Sequence, residues 1–106
     1  SVFPRHVEEA IYQHPSVKEV TVIGIPDSYR QQSVKAFVKL AEGRALDADS
    51  LRTFLADRLS PIEMPKEIEF RSKLPKTRSG KIMRRLLKAR ELGLPEGDLS
   101  TLESAS

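Results

Sequence analysis

The run Val20-Thr21-Val22-Ile23-Gly24-Ile25 constrains the fold more than any other stretch of this chain. Its β-branched residues are stiff at χ1 and suit the pleated surface of a sheet. Apolar and polar residues do not alternate along it, so both faces of the strand need cover. Pro26-Asp27-Ser28 then reads as a turn. Residues 34–40 read as a second strand, with Ala36, Val38 and Leu40 facing one way. Ile68 and Phe70 alternate with Glu67 and Glu69, the pattern of a half-buried third strand.

The cover comes from helices. Pro4 suits a first helical turn, and Phe3, Val7, Ala10 and Ile11 fall on one face. His6, Glu8 and Glu9 are then expected near solvent, and Pro15 stops the helix. Asp47 or Asp49 can cap a second helix. Leu51, Phe54, Leu55 and Leu59 form its apolar stripe, and Pro61 and Pro65 lie beyond it. Met83, Leu86 and Leu87 mark the apolar face of a last helix, with Gly93 as its C-terminal cap. The order α-β-β-α-β-α predicts an α+β fold, a small three-stranded sheet packed with helices. One domain is the natural count for 106 residues.

Charge is distributed unevenly. Residues 1–70 hold nine Lys/Arg and eleven Asp/Glu, residues 71–90 hold nine Lys/Arg and no acid, and residues 91–106 hold four acids and no base. Such a field favours an anionic partner, such as nucleotide phosphates, CoA, nucleic acid or an acidic protein surface. The chain has no cysteine, which excludes disulfides and thiolate chemistry. No apolar run approaches the roughly 20 residues that cross a bilayer. The N-terminus shows no basic-then-apolar leader, and the expectation is a cytoplasmic protein away from membranes.

The basic region holds Leu74-Pro75-Lys76-Thr77-Arg78-Ser79-Gly80-Lys81-Ile82-Met83-Arg84-Arg85. Ser-Gly is a loop dipeptide, and glycine admits a positive φ or a close ligand. Lys81 has no acidic neighbour in sequence, and a flexible ammonium of this kind suits a phosphate in reaction. Lys76, Arg78, Arg84 and Arg85 admit two readings, either phosphate attraction or a solvated helix face. Gly80-Lys81 is not a P-loop, because Ile82 stands where Ser/Thr is required and Pro75 where the first Gly belongs. His6 and His14 have no second metal ligand at useful spacing, so no metal site is expected.

Pro75-Lys76-Thr77-Arg78-Ser79-Gly80-Lys81, followed by Arg84 and Arg85, resembles the last core motif of the adenylate-forming enzymes. Pro4-Arg5-His6-Val7-Glu8, His14-Pro15-Ser16-Val17, Val22-Ile23-Gly24-Ile25-Pro26-Asp27 and Val34-Lys35-Ala36-Phe37-Val38 are similar, in order and spacing, to the C-terminal domain of that AMP-binding superfamily. The likeness spans about Ser1 to Arg90 and is greatest to acyl-CoA synthetases of the acetyl-, short- or medium-chain type. The segment Gly97–Leu102 is similar to the tails of short-chain members. Arg30-Gln31-Gln32 departs from the family's Arg-Gly-Glu, and the hinge residue and the large domain are not among these residues.

The resemblance implies that residues 1–95 form a mobile C-terminal lid domain and residues 96–106 a flexible tail. It implies an acid–thiol ligase that joins a carboxylate, ATP and CoA, with links to fatty acid metabolism. Lys81 would act in adenylation before the domain rotates for thioester formation. Lys76, Arg78 and Gly80 would lie near nucleotide or CoA phosphates. Tyr29 and Arg30 admit two readings of their own, reach towards CoA from an exposed turn or simple packing, and packing is the favoured one. ATP, CoA and Mg would bind with the large N-terminal domain, the chain holding none of them alone and being inactive alone. Acetylation of Lys81 by a lysine acetyltransferase, reversed by a sirtuin-type deacylase, is a second function the resemblance implies. A nucleic-acid-binding module is a third reading of the basic helix. It finds little support in six aromatic residues, of which the strand ones look like core.

Overall fold

The computed structural model describes residues 2–27 and 31–95. Three helices and three strands follow in the expected order. They are α1 (Pro4–Tyr12), β1 (Val17–Asp27), β2 (Gln31–Leu40), α2 (Ala48–Leu55), β3 (Glu67–Phe70) and α3 (Arg84–Leu92). The sheet order is β1-β2-β3. β1 runs antiparallel to β2, and β2 runs parallel to β3. The central strand is therefore β2, and β1 and β3 are edges.

Both faces of the sheet are covered, as the β-branched run requires. Val20 and Val22 of β1 join Val34, Ala36 and Val38 of β2 on one face, packed with Val7, Ala10 and Ile11 of α1 and Leu51 and Leu55 of α2. Ile23 and Phe37 lie on the opposite face with Leu74 and Leu87. Asp47 caps α2, its Oδ1 accepting the Ser50 N–H at 2.7 Å. Gly93 ends α3 with φ of 68°, a left-handed residue that suits glycine.

A bulge sets the register of β1. Val17 pairs with Leu40 and Glu19 with Lys39, so Lys18 is the extra residue. Inserting one residue flips the strand's alternation. Val17 and Val20 thereby both reach the α1–α2 core, and Glu19 moves to the α3 face.

Several local expectations are corrected. Pro26 and Asp27 continue β1, paired with Gln32 and Gln31, and β2 starts at Gln31, before residue 34. Proline is tolerated there because β1 is an edge strand. Phe3 is 68% exposed, off the buried face of α1. It precedes a proline, which drives it to extended backbone (φ −99°, ψ 113°), so it stands outside the helix as its N-cap. Glu8 turns inward to β1 and away from bulk solvent. Ser28, Tyr29 and Arg30, and the tail 96–106, lie outside the described residues.

The α3 face also buries a charge. Lys35 is 6% exposed, and its Nζ lies 2.9 Å from Glu91, 3.1 Å from Glu69 and 3.3 Å from Glu67. Burial alone would push the lysine pKa down, but the three carboxylates outweigh it and hold the pKa above the ordinary lysine value. The contribution is complete at neutral pH and is lost only as pH climbs past the ordinary lysine range. Glu69 is held below its usual value by Arg71 first and Lys35 second, so its contribution fades as pH falls through that lowered value.

Lys35→Met leaves three carboxylates facing one another. The glutamates keep part of their water, so we expect a loss of about 2–3 kcal/mol at pH 7, short of the figure for a fully buried pair. Urea melts at pH 7 and at pH ~3 should show the deficit shrinking in acid, as Glu69 loses its charge below its lowered pKa. An equal deficit at both would contradict the cluster's role.

Candidate functional site

Residues 74–83 form a braced turn between β3 and α3. Leu74 is buried against Ile23, Phe37 and Leu87 and anchors the incoming chain. The Met83 N–H donates to the Pro75 carbonyl at 2.8 Å, and Lys76 and Ile82 face each other across an antiparallel bridge. Thr77 closes the tip. Its N–H donates to the Lys81 carbonyl at 2.8 Å, and its carbonyl accepts the Gly80 N–H at 2.9 Å. Its hydroxyl accepts the Lys81 N–H at 3.2 Å and lies 2.9 Å from the Ser79 hydroxyl. Gly80 has φ of 86° with nothing within 4 Å of where a Cβ would sit. Glycine is therefore favoured by backbone conformation, and space does not decide it.

This geometry delivers Lys81 to solvent with its backbone fixed. Its side chain is exposed and has no ion-pair or hydrogen-bond partner among the described residues. Its neighbours are not equally free. Lys76 pairs with Glu19 of β1, and Arg84 pairs with Glu8 of α1 at 2.5 Å. Arg78 is exposed at the turn's tip, outside the groove described next.

A groove of about 860 Å³ lies between α1 and the turn. Arg5, Glu8 and Tyr12 of α1 line one side, Glu19, Val20 and Thr21 of β1 form part of the wall, and residues 77 and 79–86 line the other side. Lys81, Gly80 and Arg85 therefore share one cavity, with Lys76 and Arg78 outside its lining. Both groove carboxylates are already ion-paired, which leaves Arg5, Lys81 and Arg85 as its cations without a partner among the described residues. Open clefts lined by one sign of charge concentrate ions of the other sign.

Sequence reading did not identify Glu8, Glu19 and Arg5 as parts of this groove. Their signal depends on pairing. Only when β1 is known to be an edge with a bulge do Glu8 and Glu19 acquire partners across it. The histidines have local roles. His14 accepts the Ser16 N–H at 3.0 Å and packs edge-on to Phe54, and His6 lies 3.4 Å from Glu63. No group of three His, Cys, Asp or Glu among the described residues is arranged to hold a metal.

The AMP-binding enzyme C-terminal domain model matches residues 6–81. An acetyl-coenzyme A synthetase of Bacillus subtilis (strain 168) is 50% identical over 105 residues, covering 96% of this chain and 18% of that protein. A long-chain-fatty-acid–CoA ligase of the same organism is 51% identical over 87 residues, covering 82% of this chain and 16% of that protein. The crystal structure of an acyl-CoA synthetase from Brucella canis superposes with a TM-score of 0.76 at 42% identity, covering 85% of this chain and 17% of that one. The chain thus spans less than a fifth of the length of these relatives. With the order of elements, the braced lysine turn and these likenesses in agreement, the chain belongs to the family of AMP-binding enzyme C-terminal domains.

Proposed function

We propose that this chain is the small C-terminal domain of an acyl-CoA synthetase and that Lys81 is its adenylation lysine. The carrying observation is the unpartnered Lys81 ammonium, held out on a turn that hydrogen bonds fix, between Lys76 and Arg84, which have their own partners. In this reading residues 1–95 act as a lid on a large N-terminal AMP-binding domain, in the cytoplasm. ATP and CoA are the co-substrates. In this reading any magnesium comes with ATP and the large domain.

The chemistry has two steps. A carboxylate oxygen attacks the α-phosphorus of ATP, and pyrophosphate leaves with the electron pair of the broken P–O bond. The sulfur of CoA then attacks the acyl carbonyl, losing its proton, and AMP leaves. The first step brings two anions together. At about 4 Å and an effective dielectric of ~20, one pair of unit charges repels by roughly 4 kcal/mol. An ammonium at similar range from both offsets that repulsion, and an already paired lysine such as Lys76 cannot serve as well. The second step does not need this cation, so rotation of the domain after adenylation would remove it at no loss.

The acyl group is not selected here. The chain is about equally similar to an acetyl and to a long-chain ligase, as expected if chain-length choice, and with it any place in fatty acid metabolism, resides in the large domain.

A second reading rests on the same exposed side chain. Acylation of Lys81 by an acetyltransferase would erase its charge, and a sirtuin-type deacylase would restore it. The nucleic-acid reading is disfavoured. Phe37 is fully buried, Phe54 and Phe70 pack against the core, and Arg84 is engaged by Glu8.

In the full-length protein, Lys81→Ala should lower carboxylate-dependent ATP–pyrophosphate exchange by about 10²–10³-fold. Thioester formation from preformed acyl-adenylate should stay within about threefold of wild type. Undiminished exchange would refute the assignment. The 106-residue chain alone should release no pyrophosphate from ATP and short-chain acids, and turnover by it would refute the lid role. Incubation with an acetyltransferase and acetyl-CoA should add an acetyl group at Lys81 by mass spectrometry, and an unmodified Lys81 would rule out the second reading.

A further inference from the structure

β1 is an edge strand, and one of its outward N–H groups finds its acceptor in a side chain from α1. Glu8 Oε2 accepts the Val22 N–H at 2.8 Å and the Thr21 hydroxyl at 3.3 Å. The same oxygen accepts Arg84 Nη2 at 2.5 Å, and Arg84 Nε reaches the Thr21 hydroxyl at 3.4 Å. The Glu8 side chain is 13% exposed. A carboxylate that deep needs a counter-charge, and Arg84 supplies it. This is a junction of three elements, unlike a loose surface pair.

Arg84 opens α3, three residues past Lys81, and Lys76 stands five residues before it. Lys76 is held by Glu19, which lies two residues from Thr21 on β1. Residues two apart on a strand share a face, about 6.7 Å from each other. The lysine turn is thus pinned at both ends to one short length of β1. Between the pins, its own hydrogen bonds at Thr77, Gly80 and Lys81 keep its shape. The pins do something the internal bonds cannot, which is to set where the turn points relative to the sheet.

We propose that Glu8, through Arg84, and Glu19, through Lys76, are positioning residues for Lys81. They make α1, β1 and the lysine turn one body, so that any movement of α1 carries the ammonium with it. The inference rests on the role given to Lys81 above. A displacement of about 1 Å at a reacting group can cost roughly 10²-fold in rate, so a loosened turn is felt in catalysis before it is felt in folding.

The test uses Glu8→Gln, which retains an acceptor for Val22 but removes the charge opposite Arg84, with Arg84→Ala, Arg84→Lys and Glu19→Gln. In the full-length protein, Glu8→Gln and Arg84→Ala should each lower ATP–pyrophosphate exchange by about 10–100-fold, and the double variant by no more than the worse single. Arg84→Lys should recover to within about threefold of wild type, and the loss should fall on adenylation and spare transfer from preformed acyl-adenylate. In the 106-residue chain, ¹⁵N relaxation should show order parameters at Gly80 and Lys81 falling below about 0.7 in Glu8→Gln and Glu19→Gln, while those of β2 stay near the ~0.85 of rigid backbone. Unchanged order parameters at the turn would overturn the proposal. So would equal losses in both half-reactions with a lowered unfolding midpoint, since that is what a purely structural role gives. If Lys81→Ala itself leaves exchange intact, the adenylation reading fails, and the relaxation data still decide whether the pins hold the turn.

Discussion

The two-sided burial of β2 is the constraint from which the rest of the structure follows. Val34, Ala36, Phe37 and Val38 are all at 0% exposure. Such a strand needs a partner on each edge and a layer on each face, and the chain has few elements to provide them. β1 and β3 take the edges, α1 and α2 one face, and α3 with Leu74 the other. α3 can cover its face only if the chain crosses from β3 past the sheet. That crossing segment is the lysine turn. The site is therefore placed by the need to bury Phe37 and Ile23, and its anchor, Leu74, belongs to the same cluster.

Lys35 shows how the same strand tolerates a charge. It lies on the α3 face, near the open end by β3, where Glu67, Glu69 and Glu91 converge. Its stem lies against Phe37, with Nζ 5.1 Å from the ring centroid. The cluster joins β2, β3 and the C-terminal part of α3, whereas the Glu8–Arg84 junction joins α1, β1 and the start of α3. The two ion-paired groups hold α3 at opposite ends, and Leu87 between them supplies the apolar contact. Electrostatics thus orients a helix that hydrophobic burial alone would leave free to slide.

Much of this was legible in the residues. The β-branched run and the alternating Glu67-Ile68-Glu69-Phe70 strand each lie where their periodicity places them, and Leu51 and Leu55 face the core from α2, but the helix stops at Leu55, so Leu59 reaches the core from the turn beyond it and Phe54 is only partly buried. Gly80 and Lys81 were legible as a turn with an exposed cation. What could not be read depends on partners distant in sequence. The bulge at Lys18 makes sense only opposite Lys39 and Leu40. Glu8 looks like one more helix-surface acid until the unpaired Val22 N–H is beside it. A helical wheel groups Phe3 with Val7, Ala10 and Ile11 because it ignores the rule that proline imposes on the residue before it. Val2, one residue earlier, is the side chain that is buried.

The charge of the basic segment also reads differently once partners are known. Nine cations without an acid in sequence suggest one broad positive field. In three dimensions Lys76 is matched by Glu19, Arg84 by Glu8 and Arg71 by Glu69, all acids from outside the segment. Local neutralisation shortens the reach of the field, because a paired charge falls off as a dipole and salt screens the remainder within a Debye length of about 8 Å. What survives near the groove is concentrated on Lys81, Arg5 and Arg85. A diffuse basic surface would attract any polyanion. Lys81 is the ammonium of the turn left without a partner among the described residues, between the matched Lys76 and Arg84, and with Arg5, Arg78 and Arg85 it leaves a smaller and more local positive field than the sequence suggests, the arrangement that the proposed adenylation role needs.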